Sequence, residues 1–176
     1  MVEATNHHPT LGPLRQVDAG LLNVGYAEVG PGDGRVAVLL HGWPYDIHSY
    51  GEVAPLLAAA GYRVVVPYLR GVGTTRFLSD ATFRNGEQAA LALDVIALLD
   101  ALGIERAILA EAPVISVPTI TLEGDANGVP HPDPSSYAQK FSGPSSHRTI
   151  QGGIGHNLPQ QAPEAFANAI LEVDPS

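Results

Sequence analysis

"RVAVLLHGWPYD", residues 35–46, is the stretch on which the fold turns. From Val36 to Leu40 every residue is apolar, with no alternation of polar and apolar positions. A strand covered on one face alternates, whereas a continuous run ending near a glycine reads as a strand buried on both faces. Gly42 permits a backbone conformation that other residues avoid, and Pro44 stiffens the chain just behind it. A loop of this kind can turn the backbone N–H of Trp43 toward a bound oxygen, as half of an oxyanion hole. The same residues also fit a plain strand-to-loop turn with a core tryptophan, and the peptide alone does not choose between the two.

On the N-terminal side, "RQVDAGLLNVGYAEVG" (15–30) reads as two short strands in a hairpin, followed by the turn "PGDG" (31–34). Residues 1–14 carry Pro9, Gly12 and Pro13 and are expected to form a flexible arm. On the C-terminal side, "SYGEVAPLLAAAG" (49–61) is a bracketed helix. Ser49 and Glu52 fit a capping box, and Gly61 fits the position just past the end. Pro55 inside it predicts a kink or a late start. "YRVVVPYL" (62–69) is a second buried strand. "TFRNGEQAALALDVIALLDALG" (82–103) holds the clearest helix. There Asn85 and Gln88 form a cap pair, Leu91, Val95, Leu98 and Leu102 share one face, and Gly103 ends it. "RAILA" (106–110) and "VPTITLEG" (117–124) are the third and fourth buried strands, and "SHRTIQGG" (146–153) is the last. A short helix is expected in "DPSSYAQKF" (133–141) and a closing one in "APEAFANAILEV" (162–173). Strands alternating with helices predict an α/β fold, a mostly parallel sheet with helices on both faces. Sites in such sheets lie in the loops at the carboxyl ends of the strands.

A chain of 176 residues makes one domain with a sizeable core, here placed at 15–176. Hydrophobic residues at 45% against 15% charged mark it as globular rather than disordered. A formal net charge of -9 argues against nucleic acid or an anionic membrane as partner. The absence of cysteine rules out a disulfide framework, a thiolate nucleophile and a Cys-ligated zinc. No His/Asp/Glu spacing suggests a metal site, and no cofactor is called for. The first ten residues lack a basic segment followed by an apolar one, and no apolar run is long enough to span a bilayer. The expectation is a soluble, cytoplasmic protein.

Two further loops carry candidate chemistry. "GGIGHNLPQQAPEAF" (152–166) sets His156 in a glycine-rich loop between a strand and a helix, a suitable post for a general base. A solvated loop histidine is the plain alternative, and the one assigned to His7, His8, His131 and His147. In "LEGDANG" (122–128), Asp125, or further on Asp133, can hold His156 in one tautomer. An Asx-type turn with Asn127 and Gly128 explains the same residues without function.

Taken in order, these loops resemble the α/β-hydrolase family, in the branch of epoxide hydrolases and dehalogenases. "LLHGWP" resembles its oxyanion loop and "GYRVVVPYLRGVGTTRF" its next strand and glycine-rich turn. "VPTITLEGD" resembles its late acid-bearing strand and "GGIGHNLPQQAPEAFANAIL" its catalytic-histidine loop. The resemblance runs over about residues 15 to 174. It implies His156 as general base and the Trp43 backbone N–H as oxyanion donor, with His41, Gly42 and Pro44 as substrate-binding neighbours. It also implies Asp125 as acid, although the family often places the acid three residues after the strand-ending glycine, which here is Asn127. The implied substrates are small esters, epoxides or carbon–halide compounds.

The nucleophile departs from the pattern. The resemblance places it at a small-x-nucleophile-x-small turn after "RAILA", but the chain continues "EAPVISVP" (111–118) and holds neither G-x-S-x-G nor G-x-D-x-G. Ser116, Ser142 and Ser146 lie outside any such turn. Glu111 stands near the right strand end, yet Leu109 replaces the first small residue and Pro113 blocks the following helix, so Glu111 reads as a linker residue. The chain reads as two ends of a family member joined at Ala110/Glu111, without the elbow, its helix, the next strand or the cap. The missing elbow also removes a second oxyanion donor, a loss of about 2.7–4 kcal/mol. What remains predicts weak hydrolysis by His156-assisted water attack, or an inactive relative serving as a binding or assembly module. Apolar faces uncovered by the missing block predict a homo-oligomer.

Overall fold

A computed structural model of the chain describes residues 11–110, 118–126 and 143–173. The main sheet is built from β1 (Arg15–Ala19), β2 (Leu22–Val29), β3 (Arg35–Leu39), β4 (Tyr62–Pro67), β5 (Arg76–Phe77) and β6 (Ala107–Ala110). Its order is β1-β2-β4-β3-β6, with β5 pairing the start of β2. The parallel part is β4–β3–β6, in register through Val36 opposite Arg63 and Ala107. The β1–β2 hairpin and β5 add an antiparallel flank to these parallel strands.

The continuous apolar runs have the cause expected of them. Ala37, Leu39, Val64 and Val66 face one side, where they pack with α1 (Val53–Ala59) and α4 (Pro163–Val173). Val38, Leu40 and Val65 face the other side with Val95 of α2 (Gln88–Ala101). Ala19, Leu22 and Val24 meet Leu98 of the same helix. Each fully buried Val or Leu of this kind contributes about 1.5–3 kcal/mol, which is why neither face of these strands tolerates a polar residue.

Helix starts differ from the expected caps. Ser49 and Glu52 form no capping box, because residues Ile47–Tyr50 make a separate 3-10 helix whose cap is Asp46, accepting from the His48 N–H. α1 then begins at Val53, which puts Pro55 in its first turn, where a proline N–H is not needed. Asn85 does not cap α2 either; it accepts hydrogen bonds from Arg70 instead. Leu11 is buried in the core, so the chain is anchored from there rather than from residue 15.

Among the described residues the strands form two sheets rather than one. β7 (Thr119–Gly124) and β8 (Ser145–Ile150) form a separate parallel pair, and among the described residues β6 pairs only with β3. The two sheets are joined through α4. Its Phe166 lies 6.0 Å from the Tyr50 ring, and its Glu172 takes a two-pronged hydrogen bond from Arg148 of β8 at 2.6 and 3.1 Å. On the other side, Leu93 (66%) and Ile96 (54%) of α2 and Leu109 (41%) of β6 stay exposed. Residues 111–117 and the expected helix at 133–141 lie outside the described residues. No described helix is long and apolar enough to cross a membrane.

Candidate active site

The loop after β3 is organised around His41. Its side chain is 3% exposed; Nε2 accepts the Leu69 N–H at 3.2 Å, and Nδ1 lies 3.4 Å from the Gly42 carbonyl. Burial pushes its pKa below the ordinary imidazole value, while the Gly42 carbonyl and Asp46 pull the other way. His41 therefore supports the loop from behind. Tyr50 adds a second support by donating its hydroxyl to the Leu40 carbonyl at 2.6 Å.

The loop itself turns through Tyr45 N–H to Gly42 O at 2.9 Å. Trp43 is 88% exposed, which excludes the core-tryptophan reading. Its backbone N–H has no acceptor among the described residues. Gly42 is not in the left-handed region and has no atom within 4 Å of an imagined Cβ, so no unusual conformation demands glycine there. Pro44 follows a cis peptide bond and is exposed beside Trp43.

His156 arrives from the other end of the chain on the loop between β8 and α3 (Leu158–Gln161). The end of β7 shapes this loop. The Asp125 carboxylate accepts the N–H groups of Gly152 (2.9 Å) and Ile154 (2.8 Å), and the Ala126 N–H donates to Ile154 O at 2.8 Å. Those donors hold the Asp125 carboxyl below the usual carboxylate range. Gly124 has a steric reason to be glycine, since a Cβ would stand 2.2 Å from the Ile154 carbonyl oxygen. Asp125 is thus bound to the backbone of the histidine's loop. His156 is exposed, and its ring lies 6.1 Å from that of Tyr45, tilted by 32°.

The structure brings together His156 and the loop carrying Trp43, Pro44 and Tyr45, with Asp125 shaping the histidine's loop. Glu111, Ser116, Asn127, Asp133 and Ser142 lie outside the described residues, and Ser146 is exposed on β8. His147, taken for a solvated histidine, hydrogen-bonds to Thr121 Oγ1 at 2.9 Å and faces Glu123 at 3.4 Å across the β7–β8 pair. Tyr45 and Asn157 were missed by sequence reasoning. Both sit next to residues that were singled out, and only their packing partners distinguish them.

Residues 36–110 match the family profile of the alpha/beta hydrolase fold. A presumed epoxide hydrolase from Klebsiella pneumoniae superposes with a TM-score of 0.85 at 30% identity, over 91% of this chain and 96% of that one. The chain belongs to the α/β-hydrolase fold family. Epoxide hydrolase B of Mycobacterium tuberculosis is 40% identical over 75 residues, 42% of this chain and 20% of that protein. A haloalkane dehalogenase of Mycobacterium marinum is 46% identical over 56 residues, 32% of this chain and 19% of that protein. The aligned part of this α/β-hydrolase-fold chain thus spans about a fifth of these curated relatives. The profile match stops at Ala110, the last residue of β6.

Proposed function

We propose that this chain is a weak hydrolase of small activated esters and epoxides, working by general-base water attack without a covalent intermediate. The observation that carries the reading is the approach of His156 to the oxyanion loop, its ring 6.1 Å from that of Tyr45, two residues from Trp43, whose N–H has no acceptor among the described residues. In this reading a neutral His156 ring nitrogen takes a proton from water. The water oxygen bonds to the ester carbonyl carbon, and the carbonyl oxygen collects charge facing the Trp43 N–H. The alcohol then departs with the proton returned by the imidazolium. With an epoxide, water opens the ring at carbon and the alkoxide takes the proton back, giving a diol. General-base assistance of this kind is worth about 10²–10⁴-fold, so turnover is slow. Neither metal nor cofactor has a part in it, the partner is a small molecule rather than nucleic acid or membrane, and the protein works in the cytoplasm. Asp125 serves by shaping the loop, and the sequence holds no G-x-S-x-G or G-x-D-x-G elbow to supply a nucleophile.

The test is hydrolysis of p-nitrophenyl acetate and a small epoxide by the whole chain beside His156→Ala. A rate that disappears with the imidazole supports the reading, and a rate unchanged by the substitution ends it.

One observation favours a second reading. Leu93 and Ile96 of α2 leave large apolar side chains exposed, as does Leu109 of β6, the edge strand of the main sheet among the described residues. Exposed faces of this kind mark association surfaces. On this reading the chain is an assembly module, and light scattering returns a homo-oligomer in place of an 18.4 kDa monomer.

A further inference from the structure

With the two sheets separate, no backbone ladder among the described residues registers β7–β8 against the main sheet. The contacts that hold them together are largely apolar: Phe166 on Tyr50, and Ala167 and Ile170 in the same cluster as Ile47 and Leu57. Apolar burial is non-directional, so it holds two layers together without fixing their offset. A directional contact does cross between them. Asn157 Nδ2 donates to Ser49 Oγ at 3.2 Å and to Gln160 Oε1 at 3.1 Å. Both partners are buried, Asn157 at 7% and Ser49 at 8% exposure, although they stand 108 residues apart. A polar pair is kept in a core only when its hydrogen bonds are made, so this contact has one satisfied geometry.

Its placement ties it to the site. Asn157 is the residue after His156, and Ser49 lies in the 3-10 helix that begins two residues after Tyr45. We propose that Asn157 is a positioning residue: through Ser49 it locks the His156 loop onto the oxyanion loop and sets the imidazole beside Tyr45. The catalytic part of this inference rests on the hydrolase reading above; the positioning part does not. A misplacement of about 1 Å in a reacting group can cost about 10²-fold in rate, whereas substrate contacts are untouched. The effect therefore belongs in kcat and not in KM.

The experiment uses the full chain with Asn157→Ala, Ser49→Ala and Asn157→Asp, with folding checked by far-UV circular dichroism. Ser49→Ala removes one oxygen atom and no side-chain carbon, so it breaks the contact even if Asn157→Ala fails to fold. Asn157→Asp keeps the Ser49 contact, because the Ser49 hydroxyl can donate to the carboxylate, and gives up only the bond donated to Gln160. Two readouts are taken: ring-proton cross-peaks between Tyr45 and His156 by NMR, and kcat and KM on p-nitrophenyl acetate. Both alanine variants are expected to lose the cross-peaks and about 10- to 100-fold in kcat, with KM within about twofold, while Asn157→Asp retains both. Cross-peaks that survive in a folded Ser49→Ala overturn the proposal, as does a loss confined to Asn157→Ala in chains that both fold. If the unmodified chain hydrolyses nothing, the hydrolase reading falls and the cross-peaks alone decide the positioning.

Discussion

Asp94→Ala is expected to cost far more than a typical surface ion-pair deletion, because the pair it breaks is buried. Arg70, just past β4, meets Asp94 of α2 in a two-pronged arrangement, Nε to Oδ2 at 2.6 Å and Nη2 to Oδ1 at 2.7 Å. The side chains are 7% and 13% exposed. Removing one partner of such a pair typically costs about 3–5 kcal/mol, since the other charge is left buried. Here the guanidinium keeps the carbonyls of Asn85 and Ala90 and the Asn85 side chain as acceptors, which places the loss at the lower end. With a urea dependence of about 2 kcal/mol per molar, the unfolding midpoint falls by about 1.5 M. Replacing both charges, Arg70→Met with Asp94→Leu, removes the stranded ion and should recover most of the loss. Far-UV circular dichroism is the right probe, because Trp43 is already exposed in the folded chain and its fluorescence reports unfolding poorly. A midpoint shift below about 0.5 M for Asp94→Ala is what an exposed pair gives, and it would refute the claim that this clamp holds the loop after β4 against α2.

Three other outcomes follow from the site's supports. Burial lowers the pKa of His41, so the unfolded chain binds the proton more readily; stability should fall as pH drops below the ordinary imidazole value of about 6.5. His41→Gln should flatten that slope in urea midpoints measured from pH 5 to 8, whatever it does to absolute stability. The Asp125 carboxyl is lowered by the N–H groups of Gly152 and Ile154, so its contribution is present above the usual carboxylate range and lost as pH falls through the lowered value. Asp125→Ala should speed amide exchange at Gly152 and Ile154 at neutral pH, and unchanged exchange there would remove its loop-shaping role. Gly124→Ala should displace the His156 loop, because a Cβ would press on the Ile154 carbonyl at 2.2 Å, while Gly42→Ala should leave the thermal midpoint nearly unchanged.

The parts of the fold legible in the sequence are those whose cause is local. Val36 to Leu40 and Tyr62 to Pro67 read as doubly buried strands because layers on both sides exclude polar residues from them. Gly61 and Gly103 mark helix ends because both adopt positive φ, 90° and 65°. The caps were misread where a side chain found a distant partner. Asn85 is taken by Arg70, fifteen residues earlier, and Ser49 by Asn157. At the candidate site, the placing of His156 and Trp43 on loops was legible, since Gly152, Gly153 and Gly155 before His156 and Pro44 after Trp43 interrupt regular structure. The contact of His156 with Tyr45 was not, because packing between separate sheets sets it. β5 is only two residues long and follows no pattern that a period could reveal.

Whether any chemistry at this site involves a covalent intermediate can be decided without locating a nucleophile. An elbow needs a strand that runs straight into a helix through a tight turn of small residues. β6 ends at Ala110, the family match ends at the same residue, and Glu111, Ala112 and Pro113 follow. A site with a base and an oxyanion donor but no nucleophile releases alcohol and acid at the same rate. An enzyme whose acyl or alkyl intermediate breaks down more slowly than it forms releases the first product in a burst that approaches the enzyme present, and the intermediate accumulates as an adduct. Stopped-flow release of p-nitrophenol should therefore be linear from the first turnover, with no adduct on the intact chain by mass spectrometry. A burst abolished by Glu111→Gln would show that the residue after β6 does attack, and the general-base reading would then be wrong about the step that matters most.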